Sequence, residues 1–510
     1  MTCQGAGGQN WAIVCTTRRE EATCALPETR FEVGTTNPGR SIGRRTIITD
    51  WKGGRMTVTK VGRCLLLSLI VLAWGRFECV NARAQSSHAP APSDWFAGDA
   101  HVHRGIGCSR SNEKEMLSPK ELLEMMRTNN LAVVAVLADT GNGEMKYAER
   151  DIPLITGKDN AESTPGHLLH WDAEWHFDPR GVTFEQKMIG GHLVLLGLRH
   201  GESFFSEYTE PVFEWAKDQG AAAGFAHLQY LPEGIPKVLD CCAPLELPVE
   251  TALGNVAFLM EDVHGSETAI HAYYRILNCG FRPGLVAGTD YSCNFLEPLG
   301  TLLTYVRVPD GNLTYAKWVD GIRRGSTVIS RAGHDEFLDL KVNQFFSPGD
   351  EIHLDGKGPV HVSVQWASLK KLEGRIEIVR DGVVVANRTG SASPGSPLAF
   401  ATTVNFDRSG WLCARRMDDQ GHRSHSGAVF ATVNNTPIRA SASDAEFFVH
   451  WIDNLLLQTS PGGAWSEFFH KDRQAAQNRY RKARAIFERI ASEARNQASA
   501  LAPEEKAVTH

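Results

Sequence analysis

The chain has 510 residues, of which 42% are hydrophobic, 9% aromatic and 22% charged. A chain of this length can bury two or more hydrophobic cores, and its composition excludes a largely disordered protein. No run of about 20 apolar residues occurs in the body of the chain, which argues against a membrane-spanning bundle.

The first 84 residues differ in composition from the rest of the chain. From Met56 a short basic segment precedes an apolar run at 64–74, and small residues two apart, Ala82 and Ala84, follow that run. This order is typical of a secretory signal peptide cleaved after Ala84. We therefore expect an exported protein, periplasmic or extracellular, that begins at Met56. We interpret residues 1–55 as a mis-called extension, predict a signal peptide at 56–84 and predict a linker at 85–93.

Export with removal of the signal peptide would also change the net charge of the protein and the number of cysteines that it contains. Residues 1–84 carry twelve Lys and Arg against six Asp and Glu, so their removal takes the formal charge from −6 to −12. Because nucleic-acid binding depends on Lys and Arg that meet phosphates, we expect no nucleic-acid partner. After signal cleavage we expect no stable membrane span. The six remaining cysteines show no CxxC spacing, so adjacent Cys241 and Cys242 are interpreted as core residues or as one partner of a single disulfide.

Strand-like apolar runs alternate with helical patterns from residue 94 to residue 335. This alternation indicates βα units and a parallel sheet or barrel. The predicted strands lie at 131–137, 192–198, 221–227 and 285–288, and the predicted helices at 119–127, 211–219 and 269–277.

Beyond residue 335 the apolar pattern changes to period two. Residues 361–367 and 375–385 alternate around an Asp-Gly pair, which is a hairpin signal. Further short strands are predicted at 400–406, 410–415 and 428–433. We predict a β-sandwich-like domain at 336–440 and a C-terminal helical segment at 441–510, with the helical pattern strongest at 465–498.

Several residues of the types that commonly serve as metal ligands lie just after the end, or at the start, of predicted strands. His101 and His103, in Asp-Ala-His-Val-His at 99–103, point to the same side because they are one residue apart at a strand end. In βα folds, active sites lie at such ends. Oxygen and imidazole ligands suit Zn, Mn or Fe, and a shared carboxylate can bridge two ions. Further candidates at the ends or starts of predicted strands are Asp139, His192, His227 and Asp290, and Glu174 lies in the segment Trp-Asp-Ala-Glu-Trp-His-Phe at 171–177.

The segment Phe-Ala-Gly-Asp-Ala-His-Val-His at 96–103 resembles the opening motif of the polymerase and histidinol phosphatase (PHP) superfamily of metallohydrolases. Within that superfamily, the chain is similar to the carbaryl-hydrolase (CehA/McbA-like) branch over residues 94–460. The resemblance implies an α/β fold, a distorted PHP-type β/α barrel at 94–335 with the β-sandwich-like domain and terminal helix appended. The other similar segments are 191–198, 273–282, 287–290, 313–325 and 448–453.

The resemblance also implies a metal centre of one or two divalent ions. One ion would be held by His101, His103, Glu174 and Asp290, and the other by Glu174, His192 and His227. Two departures concern histidines that serve a third ion in other members of the superfamily. Thr140 follows Asp139 where a histidine is usual, and Ser292 replaces the closing histidine. Asp139 therefore stays an additional candidate ligand without its usual partner.

The implied chemistry is cleavage of an ester-like bond (carbamate, aryl ester or phosphoester) in a small molecule by metal-activated water. We expect Asp290 to orient the water, His101 to act as a ligand in catalysis and Arg104 to face a leaving group or anion, unless Arg104 only forms surface hydrogen bonds. Trp171, Trp175 and Tyr291 would form an apolar wall or pack in the core. Two further candidates at the mouth of the site are His264 and Arg275.

Two other classes of function compete with this hypothesis. The alternative is a non-catalytic exported ligand-binding module on a degenerate PHP barrel. A serine hydrolase is disfavoured because no Gly-x-Ser-x-Gly occurs after residue 84. The absence of a P-loop or a Lys/Arg-rich phosphate cradle makes a phosphoester substrate less favoured than a carbamate or aryl ester.

Overall fold

The computed structural model of the protein describes residues 90–104, 116–141, 148–176, 190–203, 206–239, 242–262, 267–292, 298–469 and 471–501, and four short strands near the N-terminus. The chain divides into two compact units, Met1–Ala82 and Arg83–His510. The first contains two separate two-stranded sheets, and the predicted signal peptide at 56–84 lies outside the described residues. The strands of these two sheets are β1 (Thr2–Gln4), β2 (Asn10–Ala12), β3 (Cys15–Arg18) and β4 (Glu21–Cys24).

The second unit begins with seven strands that are neighbours in chain order. The first three run parallel, the fourth is antiparallel to both of its neighbours, and the last three are parallel again. They are β5 (Trp95–Val102), β6 (Val133–Thr140), β7 (Leu168–His176), β8 (His192–Leu196), β9 (Ala222–Phe225), β10 (Phe258–Asp262) and β11 (Gly284–Gly288).

Helices connect or cover these strands. The helix α1 (Pro119–Thr128) shows why they form where they do: Ser118 caps its N-terminus in a reciprocal pair with Glu121, and Pro119 fills the first helical position. Its buried face contributes Leu122 and Met126 to the main hydrophobic core. The helices are α1 (Pro119–Thr128), α2 (Ala148–Asp151), α3 (Glu210–Asp218), α4 (Leu247–Ala252), α5 (Glu267–Asn278) and α6 (Tyr315–Arg323).

The sheet continues beyond β5 into the C-terminal region without interruption. The further strands are β12 (Leu303–Arg307), β13 (Thr327–Ser330), β14 (Glu336–Val342), β15 (Glu351–Leu354), β16 (Gly358–Ser368), β17 (Leu372–Arg380), β18 (Val383–Ala392), β19 (Leu398–Phe406), β20 (Gly410–Asp418), β21 (Gly421–Ser426) and β22 (Val429–Val433). After β5 the order is β12, β13, β21, β20, β17 and β18, while β22 pairs with β20 and β15. A separate three-stranded sheet has the order β14, β16, β19.

The predictions of a mixed α/β protein and of a β-rich region after residue 335 are confirmed. Asp381 and Gly382 form the predicted turn between β17 and β18. The predicted boundary at 335/336 does not interrupt the main sheet, because Val328–Ser330 of β13 pairs with Ser424–Ser426 of β21.

The two ends of the seven-strand series approach each other. Val102 at the end of β5 forms a parallel bridge with Tyr291, just after β11. The backbone N–H of Ala287 on β11 donates to Oγ1 of Thr304 on β12 at 2.8 Å. The curved sheet encloses an apolar core, into which Trp318 of α6 packs. The side chains predicted to be metal ligands lie at the opposite, carboxyl edge of this sheet.

Two further helices follow β22 in the described part of the chain, α7 (Ala442–Thr459) and α8 (Arg473–Leu501). The helical pattern predicted from residue 465 becomes a short 3₁₀ turn at Ser466–Phe468 and then α8. No helix among the described residues is long and apolar enough to cross a membrane. Cys242 is disulfide-bonded, whereas Cys279 and Cys413 are buried free thiols.

Candidate metal centre

The six predicted ligands come together at one edge of the sheet. Parallel strands bring five of them there, since each follows or ends a strand: β5, β7, β9 or β11. The sixth, His192, opens β8, but β8 is antiparallel to β7 and pairs His192 with His176 at the end of that strand. An antiparallel strand therefore presents its first residue at the edge where its parallel neighbours present their last.

Four ligand atoms form a compact set around one point. Nε2 of His101 lies 3.2 Å from Nε2 of His103, 3.4 Å from Oε2 of Glu174 and 3.5 Å from Oδ1 of Asp290. Nε2 of His103 lies 3.1 Å from the same glutamate oxygen and 3.4 Å from the same aspartate oxygen. A tetrahedral ion with bonds of about 2.0–2.2 Å separates its ligands by about 3.3–3.6 Å. Three of the five distances fall within this range and the other two are slightly shorter, so the spacing of the four atoms is close to that of a tetrahedral site.

The second oxygen of Glu174 belongs to another set. Oε1 of Glu174 lies 2.8 Å from Nδ1 of His192 and 3.3 Å from Nε2 of His227, and these two nitrogens are 3.0 Å apart. Three ligand atoms at these separations form one face of a coordination shell. Because its two oxygens face different sets, Glu174 has the geometry of a carboxylate that bridges two ions. These buried groups could therefore hold metal ions.

The backbone is strained at two of the ligands. His227 has φ 58° and Asp290 has φ 52°, in the left-handed region that residues with a side chain avoid. Such conformations cluster at functional sites, where surrounding contacts hold them. The pairing of β5 with β6 is also irregular between Asp99 and Val102, the stretch that contains His101 and precedes His103.

The centre concentrates negative charge in a buried place. Glu174, Asp139 and Asp262 are all at most 4% exposed, and Asp290 is largely buried. Although burial lowers the pKa of His101, the carboxylates of Glu174, Asp262 and Asp290 raise it well above its ordinary value. For Glu174, burial raises the pKa of the carboxyl group, but the neighbouring histidines hold that pKa well below its usual range. The electrostatic field at this point therefore favours a cation.

Asp99, the first residue of the predicted motif, faces the backbone rather than the ligand atoms. It accepts from the backbone N–H groups of His101 and Thr289, both at 3.1 Å, and from the hydroxyl of Thr289 at 2.5 Å. Burial raises its pKa to about 7. Asp99 thus connects the end of β5 to the segment that carries Asp290.

Two members of the cluster were missed from the sequence. Asp262 ends β10 and lies 3.0 Å from Nδ1 of His101. His176 ends β7, and its Nε2 lies 3.2 Å from Oδ1 of Asp139. Both carry the strand-end signal used for the other residues, but neither strand was predicted. Asp139 itself lies 3.7 Å from Nδ1 of His103.

The other predicted residues lie in different surroundings. Arg104 forms a two-pronged ion pair with Asp151, at 2.9 and 2.5 Å, and packs over the ring of Trp171. Arg275 lies over the ring of Phe447, 4.0 Å from its centroid, on the side of α5 that faces α7. Trp171 and Trp175 are buried core residues and Tyr291 is partly buried beside Val102, while His264 lies outside the described residues.

Comparisons with known proteins add no assignment. No family model matches the chain, and no curated protein matches it. Among solved structures, the chain is similar to the CARDB domain of a protein from Pyrococcus furiosus at 10% identity, covering 20% of this chain and 98% of that one, with a TM-score of 0.15. It is also similar to an engineered protein at 11% identity, covering 60% of this chain and 78% of that one, with a TM-score of 0.14. Neither similarity is close enough to carry an argument about fold or function.

Proposed function

We propose that this protein is an exported metal-dependent hydrolase that cleaves a carbamate, aryl ester or phosphoester in a small molecule. The observation that carries the proposal is the position of Glu174, whose two oxygens face separate, compact sets of ligand atoms. We further propose that the curved seven-strand sheet is a distorted PHP-type barrel of the carbaryl-hydrolase branch. The approach of β11 to β5 supports this assignment.

The donor set fits one or two ions of Zn, Mn or Fe. The first set offers two imidazole nitrogens and two carboxylate oxygens, and the second offers two nitrogens and one oxygen. Three protein ligands leave an open position, which is typical of catalytic rather than structural sites. When bound, such ions lower the pKa of water towards neutrality and polarise the electrophile.

The side chains of the site differ in their exposure to solvent, and this difference indicates the role of each. Among the six ligands, Asp290 and His192 have the most exposed side chains, at 17% and 13%, so water and substrate approach at this border. Asp290 can turn its second oxygen towards the attacking water and orient it. His101 and His103, which are closed off from solvent, hold their nitrogens in a fixed geometry. Arg104 is proposed to act on the leaving group only if it releases Asp151.

Export is part of the same proposal. It rests on the signal-peptide pattern at 56–84, and the disulfide at Cys242 agrees with an oxidising compartment.

The proposal is tested by metal content and hydrolysis together. The chain from Gln85 onward is purified without affinity metals, and Zn, Mn and Fe are measured by plasma mass spectrometry beside a His101→Ala/His103→Ala variant. His353→Ala, which alters an exposed histidine of β15, is the matched control. We expect one or two equivalents of metal in the wild type and the control, and loss of at least one in the double variant.

Activity is then measured with carbamate, aryl ester and phosphoester substrates on the same preparations. Hydrolysis that disappears with the metal supports the proposal. Metal without hydrolysis of any substrate would favour the ligand-binding module, and wild-type protein that takes up no metal even after supplementation would overturn the metal centre.

A further inference from the structure

Asp262 contacts histidines of both proposed ion positions. Its Oδ1 lies 3.0 Å from Nδ1 of His101, which belongs to the first set. Its Oδ2 lies 3.2 Å from Nδ1 of His227, which belongs to the second set, and accepts the backbone N–H of His227 at 2.7 Å. The carboxylate is fully buried at the end of β10. One side chain thus contacts the rear nitrogens of two ligands.

These contacts decide which imidazole nitrogen is free to bind an ion. A neutral imidazole carries its proton on one nitrogen and offers a lone pair on the other. If Asp262 accepts a hydrogen bond from Nδ1–H of each ring, Nε2 of each ring is left as the ligand atom. Nε2 is the nitrogen that faces Glu174 in both His101 and His227.

We propose that Asp262 is a positioning residue that fixes the tautomer and the ring orientation of one ligand in each ion set. This inference rests on the proposed metal centre. Glu174 would contact both ions directly, whereas Asp262 would act on them from behind, through its contacts with the rear nitrogens of His101 and His227.

The same contacts argue against Asp262 as a direct ligand. Oδ2 is already engaged by the backbone of His227, which lies in the strained left-handed conformation. An ion bound to Oδ1 and Nδ1 of His101 would sit on the side of the ring opposite to Nε2. Nε2 is the atom that completes the four-atom set, so we assign Asp262 the supporting role.

The neighbour of Asp262 shows how β10 supports this arrangement. Glu261 points to the opposite face of the strand, where it pairs with Arg331 and with His422 at 2.9 Å. Because successive side chains of a strand alternate, an ion network on one face of β10 anchors the strand while Asp262 holds the ligands on the other.

The test is metal affinity in Asp262→Asn. Asparagine has nearly the same shape but offers one acceptor oxygen and one NH₂ donor, so it cannot accept from both rings. We expect the dissociation constants of both ions to rise about 10–100-fold, the usual effect of losing such a support. They are measured by competition with a chromophoric chelator, using Zn and Mn as probes.

Asp172→Asn is the matched control. Asp172 is also fully buried inside the sheet, but it accepts from the backbone of Gly197 and Leu198 and from Tyr315 rather than from a ligand. We expect it to leave both dissociation constants within about threefold. His192→Gln should weaken mainly one ion, in contrast to Asp262→Asn.

A second measurement keeps the inference testable if Asp262→Asn fails to fold. In wild-type protein labelled with ¹⁵N-histidine and loaded with Zn, His101 and His227 should both be protonated at Nδ1 and coordinated through Nε2. Coordination through Nδ1 in either ring would overturn the inference, as would unchanged affinities in folded Asp262→Asn. Wild-type protein that binds no metal would instead refute the proposed function itself, so the two failures are distinguishable.

Discussion

Glu174 differs from Asp262, which contacts the rear nitrogens of the histidines, because each oxygen of Glu174 faces the proposed ligand atoms of a different set. Oε2 approaches His101 and His103, and Oε1 approaches His192 and His227. Removal of its charge should therefore affect both ion positions, whereas removal of a terminal ligand should affect only one.

This difference gives a prediction on stoichiometry. Glu174→Gln should lose both ions during gel filtration against a weak chelator. We expect its affinity for each ion to fall at least about 100-fold, which is more than the loss of a supporting residue costs. His192→Gln should retain the ion of the four-atom set. Metal-to-protein ratios from plasma mass spectrometry check both. Equal stoichiometry in the two variants would contradict the bridging role.

Gly288 shows how tightly the backbone packs behind the ligands. A Cβ added there would lie 2.5 Å from Cβ of His101 and 3.1 Å from its backbone nitrogen. Neither atom can move without moving the ligand. Gly288→Ala should therefore destabilise the fold by about 1–3 kcal/mol and weaken metal binding.

The matched control is Gly166→Ala, because a Cβ at Gly166 meets nothing within 4 Å. Urea unfolding and metal content are measured for both variants. A Gly288→Ala protein with wild-type stability and metal content would show that the space behind His101 is not restrictive.

At the scale of elements, the pair of Glu267 with His422 is one of several ion pairs that join the site-bearing half to the β-rich region. Glu267, the first residue of α5, accepts from Nδ1 of His422 on β21 at 2.8 Å and from its backbone N–H at 3.2 Å. Burial raises the pKa of Glu267, but the contacts with His422 and the charge of Arg415 outweigh it and lower the pKa to about 2. The ionised form is therefore the one that stabilises the contact.

The pH dependence of this contact follows from the sign of that shift. A carboxyl group whose folded pKa is depressed contributes stability above its ordinary pKa and loses it as the pH falls towards about 2. Glu267→Gln keeps an acceptor for His422 but removes the charge. Allowing for partial solvent screening, we expect it to lower the free energy of unfolding by about 1–2 kcal/mol at pH 7.

That deficit should shrink as the pH falls from 7 to 3, and urea unfolding at several pH values checks it. The exposed pair of Glu373 with Lys371 supplies a control, since Glu373→Gln should cost less than about 0.5 kcal/mol at pH 7. A deficit for Glu267→Gln that is the same at pH 3 and pH 7 would assign its contribution to shape rather than charge.

The elements themselves were predicted to different degrees. The helix at 119–127 and the hairpin around Asp381-Gly382 were visible because capping residues, turn residues and apolar period are local signals. The strands β7 and β10 were not predicted. β7 is buried along its whole length and mixes His, Asp and Glu with apolar residues, so neither alternation nor a continuous apolar run marks it. Without those strands, His176 and Asp262 had no recognisable position.

For the whole molecule, the continuous main sheet is the feature with the largest consequence. It runs from β11 through the strands that carry the proposed ligands to β18, so the candidate centre and the β-rich region share one ladder of hydrogen bonds. The two regions of the second unit should therefore unfold together rather than as separate domains.

Removal of metal tests this cooperativity. An ion that binds only the folded state stabilises it by about 2.7 kcal/mol when its free concentration is 100-fold above the dissociation constant. A chelator should lower the melting temperature while the unfolding stays a single transition, seen alike by near-ultraviolet and far-ultraviolet circular dichroism. A chelator that shifts only one of two separate transitions would show that the β-rich region folds independently.

The sequence by itself determined most of the residues available at the strand ends, and it determined those helices and strands whose capping residues, turn residues or apolar period are local signals. His101, His103, Glu174, His192, His227 and Asp290 were named from position in the pattern and from family resemblance, and they come together at one edge. Local periodicity carries this information because side-chain direction repeats every two residues in a strand.

Only the tertiary structure decided the distances between those atoms, the recruitment of Asp262 and His176, and the union of β13 with β21. The tertiary structure also decided that Arg104 forms an ion pair with Asp151. Each of these contacts joins segments far apart in the chain, and such pairings depend on how the whole sheet curves and packs. No short pattern of residues specifies that geometry.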